Sequence, residues 1–131
     1  MMQVIENKGL KIETLKKRND FLSVAYANQK WVTPAMVVQT CIQPENDDNI
    51  IRVGFTASKK VGNAVQRNRA KRRMREVVKH VMAASARKKH DYVIIARKEI
   101  ADLSFNELIR DLKWALKRLH KSAGKSGSGN N

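Results

Sequence analysis

The spacing of apolar residues along the chain alternates between the period of a helix and that of a strand. The first helical pattern predicts a helix that begins between Leu15 and Asp20 and ends near Asn28. Its apolar residues are Phe21, Leu22, Ala25 and Tyr26. Two β-rich runs follow at 35–43 and 50–57, and the turn residues PENDDN separate them. These two runs are predicted to pair as a hairpin.

The second half of the chain predicts a helix, a strand and a helix. The helix covers about 63–86, and its apolar stripe consists of Ala70, Met74, Val77, Val78 and Val81. Residues 91–97 (DYVIIAR) form a short buried strand, and Ser104 with Glu107 is a capping box that opens the last helix. That helix places Phe105, Leu108, Ile109, Leu112, Leu116 and Leu119 on one face. The order α-β-β-α-β-α predicts a small sheet backed by helices, an α/β (α+β) sandwich.

Length and composition are those of one compact domain. The 131 residues, 42% of them hydrophobic, are enough to bury a core. Residues 1–13 are predicted to be a flexible lead-in, 14–121 a single domain, and 122–131 a disordered Gly/Ser tail. The start shows no secretory signal, and no apolar run approaches the roughly 18 residues of a membrane span. We therefore expect a soluble, cytoplasmic protein without a membrane partner.

Positive charge is concentrated in one part of the chain. Between Arg52 and Lys98 there are fifteen Lys and Arg against two acids, Glu76 and Asp91, so this part holds +13 of the formal +15. Such a patch attracts polyphosphate, because each neutralised phosphate releases condensed counterions. A run of charge is often only a solvated face, but this run is dense and of one sign. It therefore predicts a nucleic-acid-binding protein.

The helix over 63–86 carries the densest charge. Its cationic side lies opposite the apolar stripe and consists of Asn68, Arg72, Arg75 and Lys79, with Arg69, Lys71 and Arg73 toward the flanks. Arg67 precedes them. Asn68 has an amide that suits a ribose, a phosphate or a base edge, or only the local backbone.

The loop before this helix reads Ser58-Lys59-Lys60-Val61-Gly62-Asn63. Asn63 is a plausible N-cap, and the helix start would present amide donors to phosphate beside Lys59 and Lys60. The pattern is not that of a Walker A loop.

No residues predict protein-based catalysis. His80, His90 and His120 are scattered, without metal-ligand spacing, and are interpreted as surface histidines. Cys41 is interpreted as a buried thiol, and Asp47 and Asp48 as a solvated turn. Metal sites on the protein cannot be assigned from the sequence. Two other classes stay open from the residues alone: a structural ribosomal protein that binds rRNA, and a DNA-binding module.

The segment 52–78, RVGFTASKKVGNAVQRNRAKRRMREVV, resembles the protein subunit of bacterial ribonuclease P. The matching signature is G-x-x-x-S-K-K-x-G-N-A-V-x-R-N-R-x-K-R, from Gly54 to Arg72. Further similar blocks lie at 15–24, 91–97 and 102–108, so the resemblance covers roughly residues 10–121.

The resemblance implies a fold and a function. The fold would be ribosomal protein S5 domain 2-like, with an uncommon left-handed β-α-β crossover in its central sheet. The protein would be a noncatalytic subunit that binds the catalytic RNA of an endoribonuclease and the 5′ leader of precursor tRNA. The RNA, with Mg²⁺, would remove the leader to generate the mature tRNA 5′ end. We expect a monomer, with one protein per RNA.

The resemblance also implies site residues. Arg67, Asn68, Arg69, Lys71, Arg72, Arg73 and Arg75 would contact the catalytic RNA. A cleft for the leader would use Phe21, Val37, Gln39, Lys59, Lys60 and Asn63. Some family members have aromatic residues at the positions of Ala25 and Gln39, so stacking on leader bases is expected to be weaker here. Tyr26 lies about 100° farther around the helix and cannot be assumed to substitute.

Overall fold

The structure is a computed structural model that describes residues 11–123, and it contains five strands and three α-helices. The strands are β1 (Lys11–Thr14), β2 (Gln29–Val32), β3 (Met36–Ile42), β4 (Ile50–Ala57) and β5 (His90–Ala96). The helices are α1 (Arg18–Tyr26), α2 (Ala64–Ser85) and α3 (Phe105–Ala123), and a 3₁₀ turn covers Lys98–Asp102.

All five strands form one mixed sheet in the order β1-β4-β5-β3-β2. β4 is parallel to both β1 and β5, whereas β3 is antiparallel to β5 and β2. The unit β4-α2-β5 is therefore the predicted β-α-β crossover between neighbouring parallel strands. The mixed α/β architecture is confirmed, and the left-handedness of the crossover stays a prediction.

The predicted hairpin between the two β-rich runs is wrong. β3 pairs with β5 over its whole length, from Met36 opposite Ala96 to Ile42 opposite His90. β5 takes the central place because Asp91–Ile94 is buried on both faces of the sheet, and a strand without a polar face is most stable between two others. The turn at 44–49 consequently carries the chain past β5 instead of closing a tight hairpin.

The hydrophobic pattern predicts neither of the two edge strands, β1 and β2. β1 contains one apolar residue, Ile12, and β2 reads Gln-Lys-Trp-Val, so each is too short for a clear alternation. β1 corrects the predicted flexible lead-in, since Lys11–Glu13 pairs in register with Ile50–Arg52 of β4. The rest of that lead-in, and residues 124–131 of the predicted tail, lie outside the described residues.

The two faces of the sheet carry separate clusters of buried side chains. The larger cluster joins α2 and α3 to one face through residues such as Met74, Leu112 and Tyr92. On the other face, Val24 of α1 packs with Leu15, Cys41 and Val93. The predicted apolar side of α1 is thus partly wrong: Val24 is its buried residue, Ala25 is exposed, and Tyr26 is 81% exposed.

The two long helices agree with their predictions. The predicted stripe of α2, from Ala70 to Val81, is buried, and so are the four leucines predicted for α3. Ser104 caps α3 as expected, because its amide donates to Glu107 Oε1 (2.7 Å) and its Oγ accepts from the Glu107 amide (3.1 Å). The predicted burial of the Cys41 thiol is also confirmed.

Candidate nucleic-acid interface

The start of α2 is held in place by a capping box. Asn63 Oδ1 accepts from the Gln66 amide (2.9 Å), and Gln66 Oε1 accepts from the Asn63 amide (2.8 Å). Gly62 precedes the cap with a φ of +145°, and a Cβ there would lie 1.9 Å from Gln66 Oε1. Arg67 Nη1 donates to the Gly62 carbonyl (2.8 Å), which ties the loop back to the helix. The predicted N-cap is therefore confirmed.

The solvent side of α2 is a cationic face. Asn68, Arg69, Arg72 and Arg75 are exposed, and Arg67 and Lys71 are half-buried. Glu76 pairs with Lys79 at 3.2 Å. Across residues 11–123, Arg69, Arg72 and Arg75 make no ion pair with a carboxylate. We call the six residues 67, 68, 69, 71, 72 and 75 the α2 cationic face, and its charge is available to a polyanion.

Two arginines of the helix have contacts that the pattern did not predict. Arg73 turns toward the 3₁₀ turn, where Nη1 donates to the Ile100 carbonyl (2.7 Å) and Nη2 to the Leu103 carbonyl. Arg75 lies over the Phe55 ring at 5.8 Å, a cation–π contact that holds the guanidinium near the sheet edge. Arg73 thus holds α2 to the segment that leads into α3. Helical periodicity predicts the side of the helix on which an arginine lies, but not the groups that its guanidinium contacts.

The predicted cleft residues lie on the sheet face that α1 covers in part. Val37 and Gln39 of β3 are half-buried and, with Cys41, share this face. Phe21 reaches the sheet above Gly54, where an added Cβ would lie 2.6 Å from two of its ring atoms. The structure therefore brings Phe21, Val37 and Gln39 to one face, beside the half-buried residues Thr56 and Ile95.

The loop residues lie at the carboxyl end of β4. Lys59, Lys60 and Asn63 are exposed. Ser58 and Lys60 line an open cavity of about 770 Å³ together with residues 95–99. Because Ile95 also pairs with Val37, this cavity continues the strip of sheet that α1 leaves open. Of the predicted cleft and loop residues, Lys60 lines this cavity, and Val37 lies next to it through its pairing with Ile95.

A partly buried polar cluster anchors α1 to the sheet. The Arg52 guanidinium contacts Asp20 of α1 (Nη2 to Oδ2, 2.7 Å) and Asp91 of β5 (Nε to Oδ1, 3.4 Å). Asn46 Nδ2 also donates to Asp91 Oδ1 (2.8 Å). Burial raises the pKa of the Asp91 carboxyl, although the Asn46 hydrogen bond and the Arg52 charge act the other way. No local pattern in the sequence indicates this cluster, because its members come from separate segments of the chain.

The interpretation of all three histidines as surface residues is wrong for His120. Its Nε2 lies 2.8 Å from the Tyr92 hydroxyl, whose oxygen accepts from the Arg87 amide (2.9 Å). The hydroxyl therefore donates to a neutral imidazole. Burial, with the nearby Arg87 and His90, lowers the pKa of His120 to about 4. Desolvation raises the pKa of Tyr92 to about 12.

The carboxylates of the turn at residues 44–49 make contacts within the protein. Asp47 Oδ1 accepts from the Asn49 amide (2.8 Å), and Asp48 pairs with Lys89 (3.2 Å). Within residues 11–123 no three His, Cys, Asp or Glu side chains are grouped as metal ligands. In the same range, no helix has the length and apolar character needed to cross a membrane.

Fold and site together define a class: a small α/β domain whose long crossover helix presents exposed arginines that no carboxylate of residues 11–123 pairs, as expected of a polyanion-binding protein. The family model described as Ribonuclease P matches residues 10–120. The chain belongs to the ribonuclease P protein family, whose members are protein components of a tRNA-processing ribonucleoprotein.

Curated relatives and solved structures agree with this family. The ribonuclease P protein component of Paramagnetospirillum magneticum is 47% identical over 111 residues, which cover 83% of this chain and 84% of that protein. The Caulobacter vibrioides protein component is 44% identical over 119 residues, or 91% and 78% of the two chains. The Staphylococcus aureus RNase P protein structure is 34% identical, with a TM-score of 0.65, and covers 79% of this chain and 92% of that one. The Thermotoga maritima structure is 27% identical, with a TM-score of 0.66 and coverage of 83% and 96%.

Proposed function

We propose that this protein binds the catalytic RNA of ribonuclease P through the α2 cationic face and holds the 5′ leader of precursor tRNA in the groove beside α1. The observation that carries the proposal is the set of exposed arginines on α2, Arg69, Arg72 and Arg75, which pair with no carboxylate of residues 11–123. Such a face repels itself, and a dense array of phosphates removes that repulsion with release of counterions.

The capped start of α2 supports a defined orientation on the RNA. Lys59, Lys60 and the first amides of the helix lie together at the groove end of the helix. Amides at a helix start donate to phosphate, and the positive end of the helix dipole adds to the attraction. The catalytic RNA would thus contact the helix side, while the leader approaches the groove at its start.

The leader groove suits contacts to the backbone more than stacking on bases. Ala25 and Gln39 are small or polar, and Phe21 is occupied by its packing on Gly54. Tyr26 is exposed at the end of α1. We expect a modest preference among leader sequences, because the chain lacks stacking rings at these positions.

In this proposal the chemistry belongs to the RNA and its Mg²⁺. Asp20 and Asp91 are bridged by the Arg52 guanidinium, which occupies the place that a cation would take between these two carboxylates. The protein would supply positive charge and position the substrate. Lysines and arginines replace part of the counterion atmosphere, so the RNA should fold and work at lower Mg²⁺.

The direct test is cleavage of precursor tRNA by the catalytic RNA at low Mg²⁺, with and without the protein. We expect the protein to stimulate cleavage at low Mg²⁺ and to have less effect as Mg²⁺ rises. A reaction that is the same with and without the protein across the Mg²⁺ series would refute the proposal.

A charge-matched pair of variants assigns the effect to α2. Arg69→Ala should weaken binding to the RNA and reduce the salt slope of log K by about one. Lys88→Ala removes the same charge from an exposed residue beyond the other end of α2, and should change neither. Equal losses for both variants would mean that only total charge matters.

The two classes left open by the residues are disfavoured by the comparisons. A structural ribosomal protein or a DNA-binding module would not be expected to match the ribonuclease P family over residues 10–120. The RNA that copurifies with the protein provides an independent check.

A further inference from the structure

A second basic surface lies on α3, away from the α2 cationic face. Its side chains occupy one arc of the helix at about 100° per residue. They are Arg110, Lys113, Trp114, Lys117, Arg118 and Lys121. Arg118 is half-buried and the other five are exposed, with Trp114 at 54%. We call these six residues, together with Trp31 of β2, the tryptophan–arginine surface.

The centre of this surface is a guanidinium held between two indoles. The Arg118 Cζ atom lies 5.1 Å from the Trp31 ring centroid and 5.5 Å from that of Trp114. Significant cation–π contacts occur about once per 70–80 residues, and here one arginine makes two with both tryptophans of the chain. The arginine and the exposed ring are therefore preorganised, which reduces the entropy lost on binding.

This surface and α2 lie on different sides of α3. Phe105 faces α2, where its ring packs edge-on against His80 at 5.3 Å. Trp114 lies about 180° around α3 from Phe105, and Arg118 about 140°. Trp31 belongs to the edge strand β2, which is three places from β4 in the sheet. A ligand on the tryptophan–arginine surface would leave the α2 cationic face accessible.

A merely solvated helix face accounts for only part of the pattern. Lys117, Arg118 and Lys121 lie toward the carboxyl end of α3, where cations complement the helix dipole. Arg110 and Lys113 lie in the first half, where that benefit is absent. Of these cations, Arg110 approaches a carboxylate, Asp111, at 3.6 Å, and its side chain stays 66% exposed. The helix dipole also does not explain why the half-exposed Trp114 indole lies among the lysines of α3.

We propose that the tryptophan–arginine surface is a second RNA-binding site, which takes an unpaired segment of RNA. Single-stranded nucleic acid is recognised by cations that follow the backbone and aromatic rings that stack on bases. A duplex would satisfy the cations but leave Trp114 without a base to stack on. The choice of RNA over DNA rests on the proposed function, whereas the site itself rests on α3 and β2.

The experiment uses the full chain with a short, fluorescein-labelled oligouridine at low salt, and measures affinity by anisotropy. Trp114→Ala should weaken binding about 5- to 150-fold, the range for the loss of one stacked base, and Trp114→Phe should restore most of it. Tyr26→Ala removes another exposed ring and should have no effect. Because both tryptophans belong to this surface, oligouridine should also quench tryptophan emission.

Three further measurements separate this site from the α2 cationic face. In the variant Arg69→Ala/Arg72→Ala/Arg75→Ala, oligouridine should still quench tryptophan emission, even if cleavage with the catalytic RNA fails. Lys113→Ala/Lys117→Ala should weaken the quenching without touching Trp31. The proposal is overturned if Lys113→Ala/Lys117→Ala is quenched by oligouridine to the same extent as the unmodified protein, or if polyglutamate quenches the tryptophan emission and oligouridine does not.

Discussion

Single residues set how closely α1 approaches the sheet. Gly54 lies in β4 beneath Phe21, and the space for a side chain at that position is filled by the aromatic ring. The glycine of the family signature is therefore needed here for close packing, since β4 at this position has no positive φ.

We predict that Gly54→Ala lowers the free energy of unfolding by about 1–3 kcal/mol, because the new methyl group would overlap the Phe21 ring. Urea denaturation measures the change. Phe21→Ala/Gly54→Ala should be less destabilised than the sum of the two single variants, since the overlap is then absent. Strict additivity would show that Phe21 and Gly54 do not compete for the same space.

His120 makes stability depend on pH. The folded protein binds this proton only near pH 4, whereas the unfolded chain binds it near 6.5. Between these values the unfolded state holds more protons, so the free energy of unfolding falls as the pH is lowered from about 6.5 toward 4. Protonation would also remove the acceptor of the Tyr92 hydroxyl.

Denaturation of His120→Gln across this pH range tests the effect. The amide can still accept from Tyr92 but does not titrate, so the variant should lose less stability on acidification than the unmodified protein. Asp91 changes the free energy of unfolding in the opposite direction on acidification, because its raised pKa favours folding as the pH falls. The comparison is therefore between variants, with His80→Gln on α2 as the control. Parallel pH profiles for all three proteins would contradict the assignment.

Among the secondary-structure elements, α2 both packs against the sheet and presents positive charge to solvent. Its buried stripe packs on the sheet, and its outer side carries the cationic face. Arg72 and Arg73 are adjacent in sequence, yet Arg72 is exposed while Arg73 donates to two carbonyls near the 3₁₀ turn.

This adjacent pair predicts opposite phenotypes. Arg73→Ala should lower the free energy of unfolding by about 1.5–3 kcal/mol, because it removes charge-assisted hydrogen bonds to partly buried carbonyls. Arg72→Ala should stay within about 0.5 kcal/mol of the unmodified protein but weaken RNA binding. Thermal denaturation and RNA titration of both variants check this. If the two variants were equally stable, Arg73 would have no structural role beyond that of Arg72.

At the scale of the whole molecule, charge links stability to the RNA partner. The formal charge of +15 is spread over at least two exposed surfaces, so folding proceeds against self-repulsion that a bound polyanion relieves. A ligand that binds only the folded state also stabilises it by mass action.

We predict that the RNA of the ribonuclease P ribonucleoprotein raises the melting temperature of the protein at low salt. At an RNA concentration about 100 times the Kd, the stabilisation should be about 2.7 kcal/mol. The shift should shrink as salt is added, because counterion release weakens. Differential scanning calorimetry with and without RNA measures it, and Arg69→Ala/Arg72→Ala/Arg75→Ala should show a smaller shift. A salt-independent shift would speak against phosphate contacts as its cause.

Local patterns in the sequence determined the long helices and the cationic side of α2. Sustained helical periodicity predicted α2 and α3, and chemistry within a few residues predicted the caps at Asn63 and Ser104. The signature from Gly54 to Arg72 indicated the family. These features depend on neighbours in the chain, so one sequence is sufficient to find them.

Contacts between segments far apart in the chain become visible in the folded structure alone. It placed β5 between β4 and β3, which removed the predicted hairpin, and it added two edge strands too short to show a period. It also directed Arg73 to the 3₁₀ turn and brought Trp31 to Arg118. Each of these contacts joins residues far apart in the chain. Strand order and long-range side-chain contacts depend on how the buried surfaces of all elements fit together, which local patterns do not specify.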